Sequence, residues 1–144
     1  MNKYFLSTVK YDKTAENGMI KNVSEQYLFD ALSYTEAESR TIEELTPYIS
    51  GEFSITDIKQ PRISELMLDG ESDRYYRFTV MFVTIDEKTA VEKKTKSFMI
   101  VQARDFDHAV ERFNECMKGT MADYEVVAVA ETPIVDYFPV KAAE

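Results

Sequence analysis

The sequence predicts an α+β fold built from two ββαβ pseudo-repeats, with two helices packed on antiparallel sheet. First, the pattern of apolar residues and helix breakers recurs after 72 residues, half of the 144-residue chain. Second, each half begins with two runs that are rich in aromatic and β-branched residues, as strands are. Third, apolar residues at helical spacing follow each pair of runs. We therefore expect a single domain made of two pseudo-repeats, about residues 1–70 and 73–144, which share one core because so short a half would be marginal alone.

The first hairpin comprises residues 3–11 and 19–31. Asn17-Gly18 separates the two runs, and this residue pair suits the positive φ angles of a tight hairpin turn. Residues 75–85 and 91–103 repeat the arrangement in the second half. The sequence therefore predicts one long hairpin in each half.

A helix follows each hairpin. Thr35 with Glu38 three residues later has the spacing of a capping box, and Asp107 is a favourable N-cap in the second half. Pro47 cannot donate a helical hydrogen bond, and Gly119 accepts the left-handed conformation common after helices. We therefore expect the first helix to begin at Thr35 and to end near Pro47. We expect the second helix to begin at Asp107 and to end near Gly119.

Each predicted helix carries one apolar stripe that should lie on a sheet. The stripes consist of Ala37, Thr41, Leu45 and Tyr48 in the first helix, and of Ala109, Phe113, Cys116 and Met117 in the second. Because Cys116 belongs to such a stripe, we expect its thiol to be buried as a small hydrophobe.

Strands at 52–59 and 124–132 complete the repeats, each followed by a proline. Residues 76–83 and 126–130 have apolar side chains at both parities, which is typical of strands covered on both faces. We therefore expect these two runs to be central strands, and the second half to be the more deeply buried.

Composition excludes several functional classes. The chain has 17 Lys+Arg and 26 Asp+Glu, for a net charge of −9, and 44% of its residues are hydrophobic. No apolar run is long enough to span a bilayer or to form a signal peptide, so we expect a cytoplasmic protein without a membrane partner.

The residues that carry chemistry are few. His108 and Cys116 are the sole histidine and cysteine, and about 12 Å separates two positions eight residues apart on a helix. The acidic run at 69–73 lacks the glycine and the final acid of a calcium loop. The sequence therefore predicts no enzyme, no catalytic residue, no metal site and no cofactor.

Charge placement offers one specific surface. Counting the charged side chains gives residues 3–26 a net charge of 4 − 3 = +1 and residues 74–98 a net charge of 6 − 3 = +3. Residues outside the hairpins then carry −9 − 4 = −13, so the charge is polarised. The positive charge of the hairpins also has a structural interpretation, because lysines on strands discourage aggregation between sheet edges. We favour this structural interpretation of the hairpin lysines over a binding surface.

The preferred function is a non-enzymatic interaction or accessory module whose partner is a protein, itself or another. The alternative is binding of single-stranded nucleic acid, with phosphates neutralised by lysines and bases stacked on aromatic rings. The candidate residues for that alternative are Lys88, Lys93, Lys94, Lys96, Tyr75 and Tyr76, with Tyr4 as a further aromatic. An enzyme, the third choice, would need carboxylates brought together by the fold. The sequence does not fix the oligomeric state.

Several stretches carry a resemblance to a known family. They are residues 27–38, 47–53, 117–124 and 130–134. In these stretches the chain resembles an uncharacterised domain-of-unknown-function family, number 4494, of gut Bacteroidetes and their phages. The resemblance covers nearly the whole chain. It implies a short cytoplasmic or phage-encoded protein, and it assigns no catalytic or binding residue.

Overall fold

The computed structural model describes residues 3–140, which form eight strands and two helices. In chain order the elements are β1 (Lys3–Thr14), β2 (Ile20–Ala31), α1 (Tyr34–Leu45), β3 (Phe53–Lys59), β4 (Glu65–Met67), β5 (Arg74–Ile85), β6 (Glu92–Ala103), α2 (Phe106–Cys116), β7 (Asp123–Glu131) and β8 (Ile134–Phe138). The α+β class predicted from the sequence is confirmed.

The chain folds into two compact units, each with one four-stranded sheet and one helix. Unit 1 comprises residues 3–61 and 133–140, and its sheet has the order β3-β1-β2-β8. Unit 2 comprises residues 62–132, and its sheet has the order β7-β5-β6-β4. In each sheet the first three strands are antiparallel and the last pair is parallel.

The two units share topology down to an irregularity in one edge strand. The β1–β3 register shifts between Thr8 and Val9, and the β5–β7 register shifts between Thr79 and Val80. The predicted ββαβ order is thus present twice. The single-domain prediction, with its boundary near residues 70–73, stays a prediction.

One strand of each sheet comes from the other half of the chain. β4 follows the first ββαβ repeat yet pairs with β6 in unit 2, whereas β8 follows the second repeat and pairs with β2 in unit 1. Neither sequence half therefore contains a complete four-stranded sheet. These two strands were not predicted, because runs of three to five residues show too little periodicity.

Both helix starts lie two residues before the predicted caps. Ser33 accepts a hydrogen bond from the backbone N–H of Glu36 at 3.2 Å, and Asp105 accepts one from that of His108 at 2.8 Å. Thr35 and Asp107 lie inside the helices. The correction preserves the repeat, since the true caps are also 72 residues apart.

Each helix buries one stripe against its sheet. Ala37, Thr41 and Leu45 are buried in α1, as Ala109, Phe113 and Met117 are along and just after α2. The other two stripe assignments are wrong. Tyr48 is 77% exposed and Ile49 is buried instead, while Cys116 is exposed rather than buried.

The prediction of two central strands is half right. β5 lies between β6 and β7, but β7 is an edge strand on which Val126 is 42% and Val127 57% exposed. Apolar residues at both parities indicated burial on two faces. In β7 they instead accompany the register shift, where the alternation of side chains breaks.

An arginine on each helix ties it to the end of the neighbouring strand. The Arg40 guanidinium donates to the backbone carbonyl of Asp30, and the Arg112 Nε–H donates to that of Gln102 at 2.9 Å. Arg40 also donates to the carbonyl of Pro139 at 2.8 Å, after β8. Arg40 and Arg112 are 72 residues apart, so the same structural role is repeated in both units.

Candidate interaction groove

A groove runs between helix α1 and edge strand β3 in unit 1. Two adjoining cavities of about 460 and 370 Å³ form it, and Glu38 and Ile55 line both. We call this feature the α1–β3 groove. Its remaining lining residues are Tyr34, Thr35, Ile42, Thr46, Gly51, Glu52, Phe53, Thr56, Asp57 and Ile58.

One row of helix side chains forms the wall. Tyr34, Glu38, Ile42 and Thr46 are spaced four residues apart, so they lie above one another on the helix surface. This row adjoins the buried stripe of Ala37, Thr41 and Leu45. Tyr34 and Ile42 remain 52% and 49% exposed, so the wall presents apolar surface to solvent.

Strand β3 supplies the apolar floor. Phe53, Ile55 and Ile58 are half-buried and pack against the core of unit 1. The register shift at Thr56 explains their spacing, because the extra residue moves the alternation of side chains by one position. The far edge of β3 pairs with no described strand, since β3 is the outermost strand of its sheet.

The rim of the groove is acidic. Glu38, Glu52 and Asp57 are all exposed. Asp57 lies 3.9 Å from the Nζ of Lys59, while Glu38 and Glu52 form no ion pair with any described residue. The groove thus combines an apolar floor, uncompensated negative charge and an unpaired strand edge.

The equivalent helix position in unit 2 carries an apolar residue. Val110 stands 72 residues after Glu38, and it is half-buried against the unit 2 core together with Tyr124 and Val129 of β7. A valine therefore packs on the core at the position where unit 1 has an exposed glutamate. The acidic residue distinguishes unit 1 from unit 2 and does not follow from the shared topology.

One carboxylate in unit 1 accepts hydrogen bonds from two tyrosine hydroxyls. Glu25 Oε1 accepts hydrogen bonds from the hydroxyls of Tyr11 at 2.5 Å and Tyr27 at 3.1 Å. Burial, reinforced by Glu25, raises the pKa of Tyr11 to about 12 and raises that of Tyr27 further. The two phenols thus donate to one carboxylate, and these hydrogen bonds join β1 to β2 in unit 1.

The carboxyl of Asp69 also belongs to a structural network, in unit 2. Its Oδ1 accepts from the backbone N–H groups of Glu71 at 3.0 Å and Ser72 at 2.9 Å, and its Oδ2 accepts from the Ser72 hydroxyl. Burial acts to raise the pKa of Asp69, but these bonds and Arg112 outweigh it and lower the pKa to about 2. The acidic run at 69–73 is thus a bend closed on its own aspartate.

A family model matches nearly the whole described chain. Residues 3–140 match the family described as Domain of unknown function (DUF4494). The chain belongs to this family. No curated protein matches the chain. Membership confirms the family resemblance seen in the sequence and assigns no role to any residue.

In this DUF4494 domain, the lysines proposed for nucleic-acid binding lie on the second hairpin. Lys88 is in the turn between β5 and β6, and Lys93, Lys94 and Lys96 are on β6. All four are exposed and form no ion pair with a described residue. Their side chains alternate between the two faces of the sheet, so Lys94 and Lys96 share a face that Lys93 does not.

The proposed tyrosines are not available as stacking platforms. Tyr75 and Tyr76 are each 2% exposed. The hydroxyl of Tyr75 accepts from the Gln102 amide at 3.4 Å, and the ring of Tyr76 meets Phe106 edge-on at 6.3 Å. Tyr4 is half-buried with its ring 6.3 Å from that of Tyr137. Tyr75 and Tyr76 are adjacent and point to opposite faces of β5, so both faces of the strand are covered here.

Sequence reasoning missed a cation cluster beside these lysines. A cavity of about 230 Å³ is lined by Arg62, Lys96 and Phe98, and the Arg77 guanidinium lies 5.9 Å from the Phe98 ring centroid. Arg62 follows Pro61 along the chain, outside the predicted hairpin. Only the pairing of the segment before β4 with β6 brings it here.

Metal-ligand clusters and membrane-spanning helices are two further features that a functional site could use. Residues 3–140 contain no set of three or more His, Cys, Asp or Glu side chains that could hold a metal ion. His108 Nδ1 accepts from the backbone N–H of Arg104 at 3.0 Å, which gives this histidine a local structural partner. None of the helices in this part of the chain has the length and apolar character needed to cross a membrane.

Proposed function

We propose that this protein is a non-enzymatic interaction module that binds an extended segment of another protein in the α1–β3 groove. The observation that carries the proposal is an apolar groove beside an unpaired strand edge. An extended segment can add to such an edge through backbone hydrogen bonds, while pockets beside it select alternate side chains. The apolar wall at Tyr34 and Ile42 supplies those pockets.

The dimensions suit a short segment. Twelve residue steps separate Tyr34 from Thr46, so the helix row is about 18 Å long at a rise of 1.5 Å per residue. An extended chain rises about 3.3 Å per residue, so the groove matches about five residues. The preference for a module over an enzyme is supported by the structural roles of the Asp69 and Glu25 carboxylates.

The test is a selection of random extended peptides displayed on phage against the purified protein. We expect selected peptides to lose at least about tenfold in affinity for Ile42→Ser, because the substitution removes apolar surface from the groove wall. Ile85→Ser is the matched control, since Ile85 is 65% exposed and lies on unit 2. Bound peptide should also slow amide hydrogen exchange in β3.

Two results would count against the groove. One is a selection that enriches no peptide. The other is a set of peptides that bind the wild type, Ile42→Ser and Ile85→Ser equally. Both variants change exposed isoleucines, so loss of folding is not expected in either, and circular dichroism checks it.

Single-stranded nucleic acid is the second candidate, and the cluster of Arg62, Arg77 and Lys96 around Phe98 favours it. Replacing Lys93, Lys94 and Lys96 by glutamate changes the charge by six units and should abolish any such binding. We expect little wild-type binding at physiological salt, because the net charge of −9 opposes it. Tight, lysine-dependent binding in an anisotropy assay at that salt would promote this candidate.

The cytoplasmic location and the Bacteroidetes or phage origin implied by the family resemblance stay predictions. Localisation of a tagged protein in its native host would test the first.

A further inference from the structure

The charges around the α1–β3 groove carry information about its occupant. Glu38 lies at the middle, because it lines both cavities, whereas Glu52 lines one cavity and Asp57 the other. Negative charge is therefore distributed along the whole groove. Of the three acids, Asp57 forms an ion pair, with the exposed Lys59 at 3.9 Å. Glu38 and Glu52 form none with a residue that the structure describes, although Lys10 lines a neighbouring cavity with Glu52.

Exposed, unpaired carboxylates beside apolar surface are suited to pair with long cationic side chains. Lys and Arg lay their aliphatic stems on apolar surface and keep their charged ends at its rim. A segment of this kind would meet the apolar floor with some side chains and the carboxylates with others. An acidic segment would place like charges together and be repelled.

The equivalent helix row in unit 2 lacks this acidity. The helix row there reads Phe106, Val110, Asn114 and Lys118, so it offers no carboxylate. The fold accepts an apolar residue at this helix position, as Val110 shows. Glu38 is therefore not required by the topology, and its charge is a property of the groove itself.

We infer that the α1–β3 groove selects an extended segment that carries both apolar residues and Lys or Arg on the face turned toward the groove. This inference rests on the proposed function and specifies the chemistry of the partner. In the bound segment, apolar side chains contact Ile42 and Ile55 while the cations reach Glu38 and Glu52. Side chains on one face of an added strand recur at every second residue, so apolar and cationic residues would alternate along that face, with other residues between them.

The experiment compares three fluorescein-labelled heptapeptides of the form Val-Ser-X-Ser-Val-Ser-X, in which X is lysine, glutamine or glutamate, so that valine and X share one face of the extended chain. We expect the lysine peptide to bind the wild type about tenfold more tightly than the glutamine peptide, as two charge pairs at a partly desolvated site would give. The glutamate peptide should bind most weakly. Raising the salt concentration should narrow these differences.

A charge variant assigns the preference to the groove. In Glu38→Gln/Glu52→Gln the lysine and glutamine peptides should bind equally. Glu87→Gln/Glu92→Gln makes the same change in net charge on the second hairpin, and the lysine preference should survive in it. Loss of the preference in both variants would mean that net charge alone attracts the peptide, and would overturn the inference.

The remaining outcomes separate the two proposals. If the glutamine peptide binds as tightly as the lysine peptide, and Ile42→Ser weakens both, the groove binds peptides but the charge inference is wrong. If no peptide binds, or if binding ignores Ile42→Ser, both the inference and the proposed function fail.

Discussion

The two units place different residue pairs at the centre of the same helix–sheet contact. In unit 1, the hydroxyls of Ser7 and Thr41 form a buried hydrogen bond of 2.8 Å. In unit 2 the residues at the same positions are Phe78, the fifth residue of β5 as Ser7 is of β1, and Phe113 of α2. Their rings stack 4.4 Å apart at an interplanar angle of 12°. A polar contact between small side chains and an aromatic stack thus occupy equivalent positions in one topology.

The difference is offset by the neighbouring strands. Unit 1 places Phe29 of β2 against Phe138 of β8, with ring centroids 5.0 Å apart. Unit 2 has Val101 and Met67 on the corresponding strands, β6 and β4. The stacked aromatic pair therefore joins two strands in unit 1 and joins a helix to a strand in unit 2. Caps and strand register are shared by the units, whereas the distribution of core volume is not.

The largest effect should come from removing the aromatic stack. Phe113→Ala deletes a side chain that is 1% exposed and leaves a cavity beside Phe78. We expect a loss of about 3–5 kcal/mol in the free energy of unfolding, measured with urea. Thr41→Ala, at the equivalent position, should cost less because fewer atoms are lost. A larger loss in Thr41→Ala would contradict the comparison.

A double-mutant cycle on Ser7 and Thr41 should reveal a smaller, coupled effect. Ser7→Ala or Thr41→Val alone leaves one buried hydroxyl with a lost partner, at a cost of about 1–3 kcal/mol. The double variant should cost less than the sum of the two single variants, because neither member of the pair then remains. Thr41 also donates to the Ala37 carbonyl at 2.7 Å, so Ser7→Ala is the milder change. Additive costs would show that the hydrogen bond contributes nothing specific.

The smallest effect concerns acid stability and the turn of unit 2. The pKa of Asp69 is lowered to about 2 in the folded protein from 3.8, so the stability that it contributes is present above pH 3.8 and is lost as the pH falls through 2. In Asp69→Asn, the free energy of unfolding should therefore decrease less between pH 3.8 and pH 2 than it does in the wild type. Urea unfolding between pH 2 and 5 measures it, with Asp73→Asn as the control. An equally reduced decrease in the control would show that Asp69 has no special role.

The sequence predicted the repeat, the hairpins and the helices because these depend on local patterns. Strand-forming runs, turn pairs and helical spacing act over a few residues, and each recurs after half the chain. Even the errors at Thr35 and Asp107 were shifted by the same two residues. Cap assignment failed because Ser33 and Asp105 are equally good N-cap residues, and which one begins the helix depends on where the strand ends.

The candidate site was less predictable. The acidity of α1 is visible in the sequence, but the groove requires the helix row at Glu38 and Ile42 to face Ile55 of an edge strand. Burial of Tyr75 and Tyr76, and exposure of Cys116, likewise depend on what covers each position. Residue type alone gave the wrong environment for Cys116, whereas burial of Tyr76 agrees with the predicted central strand at 76–83.

The sequence by itself determined the periodic elements and their order, since backbone propensity, capping and side-chain alternation are local effects. Only the tertiary structure decided which strands are edges and where the short strands β4 and β8 pair. A strand of three to five residues has too few local interactions to fix its partner. Its pairing is set by the hydrogen-bonding edge that the rest of the fold presents, and that edge exists only after distant segments have come together.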